Sequence, residues 1–188
     1  MADLYGIYGA SGCGRGIMPL ARAQLLRAGV PGDRLVFIDD GAQASAVNGH
    51  AVMSRAVFLA SPARARFAAI AIANSAVRAA LADELAGAGV QPWSVRAEAI
   101  VIMDNVQIGP GALLSPFVTL TSNIRIGRQF HANLYSYVEH DCVVGDFVTL
   151  APGVKINGNV HNDDHAYLGA GAVIKQGRPG APLPIGAG

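Results

Sequence analysis

From Ile102 onward the chain keeps a beat of six. Ile102, Ile108, Leu114, Leu120, Ile126, Ala132, Val138, Val144, Leu150, Ile156, Asn162, Leu168 and Ile174 follow at that spacing, and all but Ala132 and Asn162 are large aliphatics. The fourth residue after each beat is small or apolar too, from Val106 and Ala112 through Phe130, Cys142 and Val148 to Ala172. Glycine follows the beat at Gly109, Gly127, Gly145 and Gly169. A helix needs a period of 3.6 and a half-buried strand a period of 2, so neither explains a register held this long. A hexapeptide repeat does, because coils that cannot bury their apolar side alone stack into a β-solenoid. Residues 96–188 are therefore expected to form one.

Residues 1–95 follow another rule. "DLYGIYG" reads as a short buried strand, and "IMPLARAQLLRAG" as a helix with Pro19 near its first turn and Gly29 as its stop. "RLVFIDD" and "FAAIAIAN" read as further strands, and "SAVRAALADELAGAG" as a helix capped by Ser75. Strands separated by helices predict a small Rossmann-like parallel sheet, with the boundary near Pro92 and Trp93.

Charge narrows the function classes. The formal net charge is +1, 14% of residues are charged, and the basic residues are scattered singly. No basic stripe points to nucleic acid and no basic amphipathic run to a membrane surface. The start "MADLYGIYGASG" lacks the layout of a signal peptide. Residues 105–124 carry no charge, but Pro110, Gly111 and Pro116 argue against a spanning helix. Cys13 and Cys142 suggest no disulfide framework, so a reducing, cytoplasmic setting is expected.

Two motifs carry chemistry. His140 stands between Glu139 and Asp141 in "SYVEHDCVVGDFVTLAPG". A solvated surface histidine is the plain reading. The functional one is a general base, since imidazole titrates at about pH 6.5 and a base is most useful near the working pH. Glu139 or Asp141 could fix its tautomer. The second motif, "GASGCGRG", follows a strand and opens a helix, where backbone N–H groups cradle phosphate. It does not match G-x-G-x-x-G, because Ile17 stands where the third glycine would be. A nucleotide diphosphate suits it better than a dinucleotide redox cofactor, with Asp39 and Asp40 placed for a ribose or base. A glycine turn that merely packs helix on strand is the alternative.

"NLYSYVEHDCVVGDF", "APGVKINGNV" and "LGAGAVI", with "IYGASGCG" and "FIDD" upstream, resemble the NeuD/PglD-like sugar-nucleotide N-acetyltransferases of the left-handed β-helix superfamily. The resemblance spans nearly the whole chain. It implies a left-handed parallel β-helix of triangular coils, three hexapeptides each, so that residues 18 apart stack. His140 and Asp141, two and three places after the Val138 beat, would then lie outside the core, with Gly158 in the same corner one coil on. A side-chain-free residue there would leave room for a substrate carbonyl and offer a backbone N–H to developing charge; the plain alternative is a glycine that makes the turn.

The resemblance further implies acetyl transfer from acetyl-CoA to a nucleotide-linked 4-amino sugar in bacterial glycan and O-antigen (lipopolysaccharide) biosynthesis. His140 would be the base, Asp141 would increase its basicity, and Asn133 would lie near the substrate. Acetyl-CoA would run between subunits of a homotrimer past Thr149, Gly158, Ala170 and Ala187. Ser11, Gly12, Cys13, Asp39, Asp40 and Ala73 would hold the nucleotide sugar. Cys13 replaces a frequent histidine of the family and Ala73 a frequent glycine. The chain stops at "IGAG", which reads like the opening of a further repeat, so it is expected to be cut short there.

Other readings stay open at this point. An O-acetyltransferase would use the same base. A hydratase of the carbonic anhydrase type needs three converging histidines, and His131, His140, His161 and His165 share no 18-residue column. No metal is therefore expected, and "VHNDDHAY" reads as a polar turn rather than a metal site. Asn162, on the beat, is expected either to bulge out of the coil or to pair its amide. A non-catalytic solenoid would make every one of these motifs incidental.

Overall fold

A computed structural model describes residues 2–187. These divide into two compact units, one ending at Val95 and the other beginning at Arg96.

In the first unit, β1 (Leu4–Tyr8), β2 (Leu35–Ile38), β4 (His50–Met53), β5 (Arg66–Ile70) and β6 (Gln91–Pro92) form a parallel sheet, edged by the antiparallel β3 (Ala46–Val47). The order β3-β4-β2-β1-β5-β6 puts β1 at the centre, with β2 and β5 on either side. This is a Rossmann-like arrangement. The apolar runs explain it: β2 is buried at every position, as a strand covered on both faces must be. The helices are α1 (Gly12–Arg27), α2 (Arg55–Ala60) and α3 (Ser75–Gly87).

Two local expectations are corrected. Helix α1 begins inside the glycine motif, so Pro19 lies well within the helix rather than in its first turn. Asn74 caps α3, its Oδ1 accepting from the Val77 N–H at 3.0 Å, while Ser75 is the first helical residue. The β3–β4 hairpin and α2 fill a stretch whose sequence carried no clear period.

The second unit is a left-handed parallel β-helix. Its short strands pair in parallel with an offset of 18: Leu113 with His131 and then Thr149, Thr119 with Tyr137 and then Lys155, Arg125 with Val143 and then His161. Beat residues and their +4 partners fill the interior from Ala112 to Leu168. Each large aliphatic buried there contributes about 1.5–3 kcal/mol over leaving it exposed. Ile102 and Val106 in the first coil, and Ala172 and Ile174 in the last, are only partly covered because each has a neighbouring coil on one side.

Asn162 breaks the expectation made for it. The strand Val160–Asn162 neither bulges nor pairs the amide; Asn162 is 4% exposed, and its Oδ1 and Nδ2 have no partner among the described residues. The irregularity comes later, where Val160 pairs with Leu183 at an offset of 23. The extra residues form a small loop bridged between Arg178 and Ala181. Among the described residues, no helix is long and apolar enough to cross a membrane.

Candidate active site

Every corner three places after a beat, from Asn105 to Gly171, has a positive φ. Glycine meets this at Gly111, Gly153 and Gly171, while Asn105, Phe117, Asn123, Gln129, Tyr135, Asp141, Phe147, Asn159 and His165 meet it with side chains attached. The left-handed turn swings the chain from one face of the triangle to the next. It also turns the corner side chains away from the interior of the coil, some of them exposed, as Asn105, Phe117 and Tyr135 are, and others covered, as Gln129 and Phe147 are.

At one such corner, Asp141 has φ 57° and its Oδ2 lies 2.8 Å from His140 Nδ1, the imidazole N–H donating to the carboxylate. This bond lowers the Asp141 pKa, with a second hydrogen bond from Asn123 adding to the effect. Asp141, rather than Glu139, is thus the acid that orients the ring. With Nδ1 carrying the proton, Nε2 keeps its lone pair on a side chain that is 42% exposed. The ring rests on Gly158: a Cβ there would come within 2.5 Å of His140 Cε1 and 2.6 Å of Nε2. The space at Gly158 is therefore occupied by the imidazole itself, which corrects the expectation of an open gap for a carbonyl. Cys142 is buried, its Sγ pointing at the carbonyls of His140 and Asn157, and burial pushes its thiol pKa up. That removes it as a nucleophile.

The corner also carries a ladder. Asn105 Nδ2 donates to Asn123 Oδ1 at 2.9 Å, and Asn123 Nδ2 donates to Asp141 Oδ1 at 3.2 Å. Beside it lies a groove of about 330 Å³ lined by Gln107, Arg125, His161 and the ladder residues. Asn123 and Asn105 were missed in the sequence, although counting back by 18 from Asp141 reaches both.

The other expected solenoid residues do not join His140 within one chain. Asn133 belongs to a different corner, its Nδ2 donating to Leu150 O at 2.8 Å. Thr149 is 3% exposed on a strand of another face, which closes its side chain to a ligand. Ala170 and Ala187 are exposed, away from the His140 column.

In the first unit, β1 runs into Gly9 at φ 100° and then α1, whose N-cap Ser11 makes no side-chain capping bond. Ser11 and Gly12 are exposed, and nothing lies within 4 Å of where a Gly12 Cβ would be. Gly14 is required for another reason, since a Cβ there would overlap the Gly9 carbonyl oxygen. Asp39 braces this turn, its Oδ2 accepting from the Ala10 N–H at 2.8 Å and its Oδ1 from the Gly41 N–H at 3.0 Å. Asp40 accepts from Tyr8 Oη at 2.7 Å and from the Arg55 N–H at 2.8 Å. Both acids thus hold protein groups first, with only their remaining lone pairs open to a ligand.

Arg78 was not foreseen. Fully buried on α3, it donates to the carbonyls of Ile72 (2.6 Å) and Ala73 (3.1 Å), tying down the loop that carries exposed Ala73. Burial lowers its pKa to about 10. Burial raises the Cys13 thiol, against the pull of the nearby Arg78 charge. A lone arginine among alanines in "SAVRAAL" was the available signal. Among the described residues, no three His, Cys, Asp or Glu side chains gather as metal ligands would.

No family model matches the chain. GDP-perosamine N-acetyltransferase of Escherichia coli O157:H7 is 46% identical over 186 residues, covering 99% of this chain and 84% of that protein. The structure of WeeI from Acinetobacter baumannii AYE superposes with a TM-score of 0.96 at 52% identity, covering 99% of this chain and 87% of that one. PerB from Caulobacter crescentus, solved with CoA and GDP-perosamine, has a TM-score of 0.72 at 20% identity, covering 97% and 91%, and is evidence for the fold alone.

Proposed function

The chain belongs to the sugar-nucleotide N-acetyltransferases of the left-handed β-helix superfamily, and from that premise we propose that its acceptor is a GDP-linked 4-amino sugar and its general base His140. It is an acetyl-CoA-dependent acetyltransferase that modifies the amino group of a nucleotide-linked sugar. The observation that carries the assignment of the base is one geometry: an imidazole seated on Gly158, its Nδ1 bonded to Asp141, its Nε2 free at an exposed corner. The choice of GDP-perosamine as first substrate to test follows the name of the Escherichia coli relative.

In the reaction the neutral sugar amine attacks the thioester carbonyl of acetyl-CoA. His140 Nε2 takes the amine proton as the C–N bond forms. A backbone N–H at the corner, that of Gly158, receives the oxyanion. Collapse breaks the C–S bond, and the imidazolium returns its proton to the CoA sulfur. Asp141 keeps Nδ1–H in place throughout and stabilises the charged ring. Buried Cys142 leaves no thiol for an acyl-enzyme, so direct transfer is the economical path.

At the nucleotide end, the exposed Ser11–Gly12 N-terminus of α1 supports diphosphate binding, with the loop at Ala73 beside it held by Arg78. Asn133 and His140 lie on different corners of one chain, which supports the homotrimeric arrangement implied by the family, with a neighbouring subunit completing each site. Thr149, being buried, supports no direct contact with CoA; Ala170 and Ala187 remain available to it. Two free cysteines and the use of acetyl-CoA support a cytoplasmic enzyme.

The test is thiol release from acetyl-CoA with GDP-perosamine or its UDP and dTDP counterparts, comparing wild type with His140→Ala. Turnover should be best with the GDP sugar and should fall about 10²–10⁴-fold in the variant, the usual range for a general base. Undiminished turnover by His140→Ala would remove His140 from the role.

A further inference from the structure

We propose that Asn123, steadied by Asn105, is a positioning residue for acetyl transfer: it orients the Asp141 carboxylate and through it selects the His140 tautomer whose Nε2 can accept a proton. This rests on His140 being the base. The geometry is directional. Asn105 Nδ2 donates to Asn123 Oδ1, Asn123 Nδ2 to Asp141 Oδ1, and the other carboxylate oxygen, Oδ2, takes the His140 Nδ1 proton. One amide therefore fixes one oxygen of the acid, leaving the second to face the ring. Each bond polarises the next, so the chain is stiffer than its parts.

Corner asparagines have a plain explanation, because Asn tolerates a positive φ better than most residues. The other two corners argue against that as the whole reason. At closely similar φ they carry Phe117, Gln129, Tyr135, Phe147 and His165, so the backbone accepts many side chains there. In the column that holds His140, two side-chain amides stand in register with Asp141 and are joined to it by hydrogen bonds. The next residue of that column, Asn159, donates its N–H to His140 O at 3.0 Å, the bond that corner N–H groups such as those of Asn123 and Asp141 also make to the coil before. Ladder and backbone together hold the corner from both sides.

Asn123 sits at φ 58°, so glycine is the replacement that removes the amide without straining the backbone. In ¹⁵N-labelled full-length protein at about pH 8.5, where imidazoles are mostly neutral, the His140 nitrogens are assigned by their loss in His140→Ala. Wild type should show a protonated Nδ1 and an unprotonated Nε2; Asn123→Gly should show averaged shifts from mixed tautomers. In steady state kcat should fall roughly 3- to 30-fold, a part of what a general base supplies, with KM for acetyl-CoA unchanged. Asn123→Asp, which turns a donor into a like charge, should lose more.

Placing Asn123→Gly in an Asp141→Asn background closes a double-mutant cycle. If the amide works through Asp141, it has no further effect there. Equal proportional losses in both backgrounds, or a wild-type tautomer in Asn123→Gly, overturn the proposal. Inactive wild type would instead defeat the choice of acceptor, and fully active His140→Ala the assignment of the base; the tautomer measurement would still decide what the ladder does.

Discussion

Replacing Gly158 with alanine isolates the seat of the catalytic ring from everything else at the corner. The nearest atoms to a Cβ at this position all belong to His140, at 2.5 Å (Cε1), 2.6 Å (Nε2) and 3.0 Å (Nδ1). Non-bonded carbons rest at about 3.5–4.0 Å, so the ring must retreat by about 1 Å. Its tether to Asp141 is 2.8 Å long, and such a retreat takes it past the roughly 3.2 Å limit of a sound N–H···O bond. A misplacement of about 1 Å can cost on the order of 10²-fold in rate, or about 2.7 kcal/mol of transition-state stabilisation. The backbone gives no competing reason for damage, because Gly158 is not among the glycines with positive φ. Where the conformation suits alanine, Gly→Ala stabilises by about 0.4–1 kcal/mol through the unfolded chain, so Tm should hold or rise slightly. The alanine variant also keeps the N–H offered to the oxyanion, and only the ring's position is altered. The assay is steady-state thiol release beside thermal unfolding. Wild-type kcat in Gly158→Ala, or a collapse in Tm matching the loss of activity, would refute the reasoning.

Two further perturbations address the first unit. Burial, aided by the Asp40 hydrogen bond, raises the Tyr8 phenol from 10.0 to about 12; the unfolded chain then loses its phenolic proton first, so the stability Tyr8 contributes is whole below about pH 10 and drains away as the pH climbs to about 12. Urea midpoints followed across that window should fall more steeply in wild type than in Tyr8→Phe, and parallel curves would show that the phenol is not the cause. Gly14→Ala should force the β1–α1 turn open by overlapping the Gly9 carbonyl, so that GDP, expected to raise the Tm of wild type, no longer does; an undiminished GDP shift would mean that this turn is not the diphosphate cradle.

Much of the solenoid was legible in one dimension because its rule is periodic. Once Ile102 to Ile174 are seen to keep six, the interior follows residue by residue, and the three-sided coil that the family resemblance implies brings Gly158 to His140. Contacts that obey no period were not legible. Arg78 reads as one more exposed helical arginine until the packing around it is known, and Asn162 reads as a residue that must leave the core or pair its amide, yet it does neither.

The order of residues alone determined a six-residue repeat and its apolar lining, since these follow from which side chains water rejects at a fixed spacing; the triangular coil that places His140 and Asp141 on the outside came from the family resemblance. The folded chain decided the rest: that Asp141 and not Glu139 meets the imidazole, that Gly158 is the floor beneath it, and that Asn123 holds the acid from a coil away. The reason is geometric. Hydrophobic burial needs only a pattern, whereas a hydrogen bond needs an atom at about 3 Å in the right direction, and that direction is set by the left-handed turn at each corner and by the neighbouring coil.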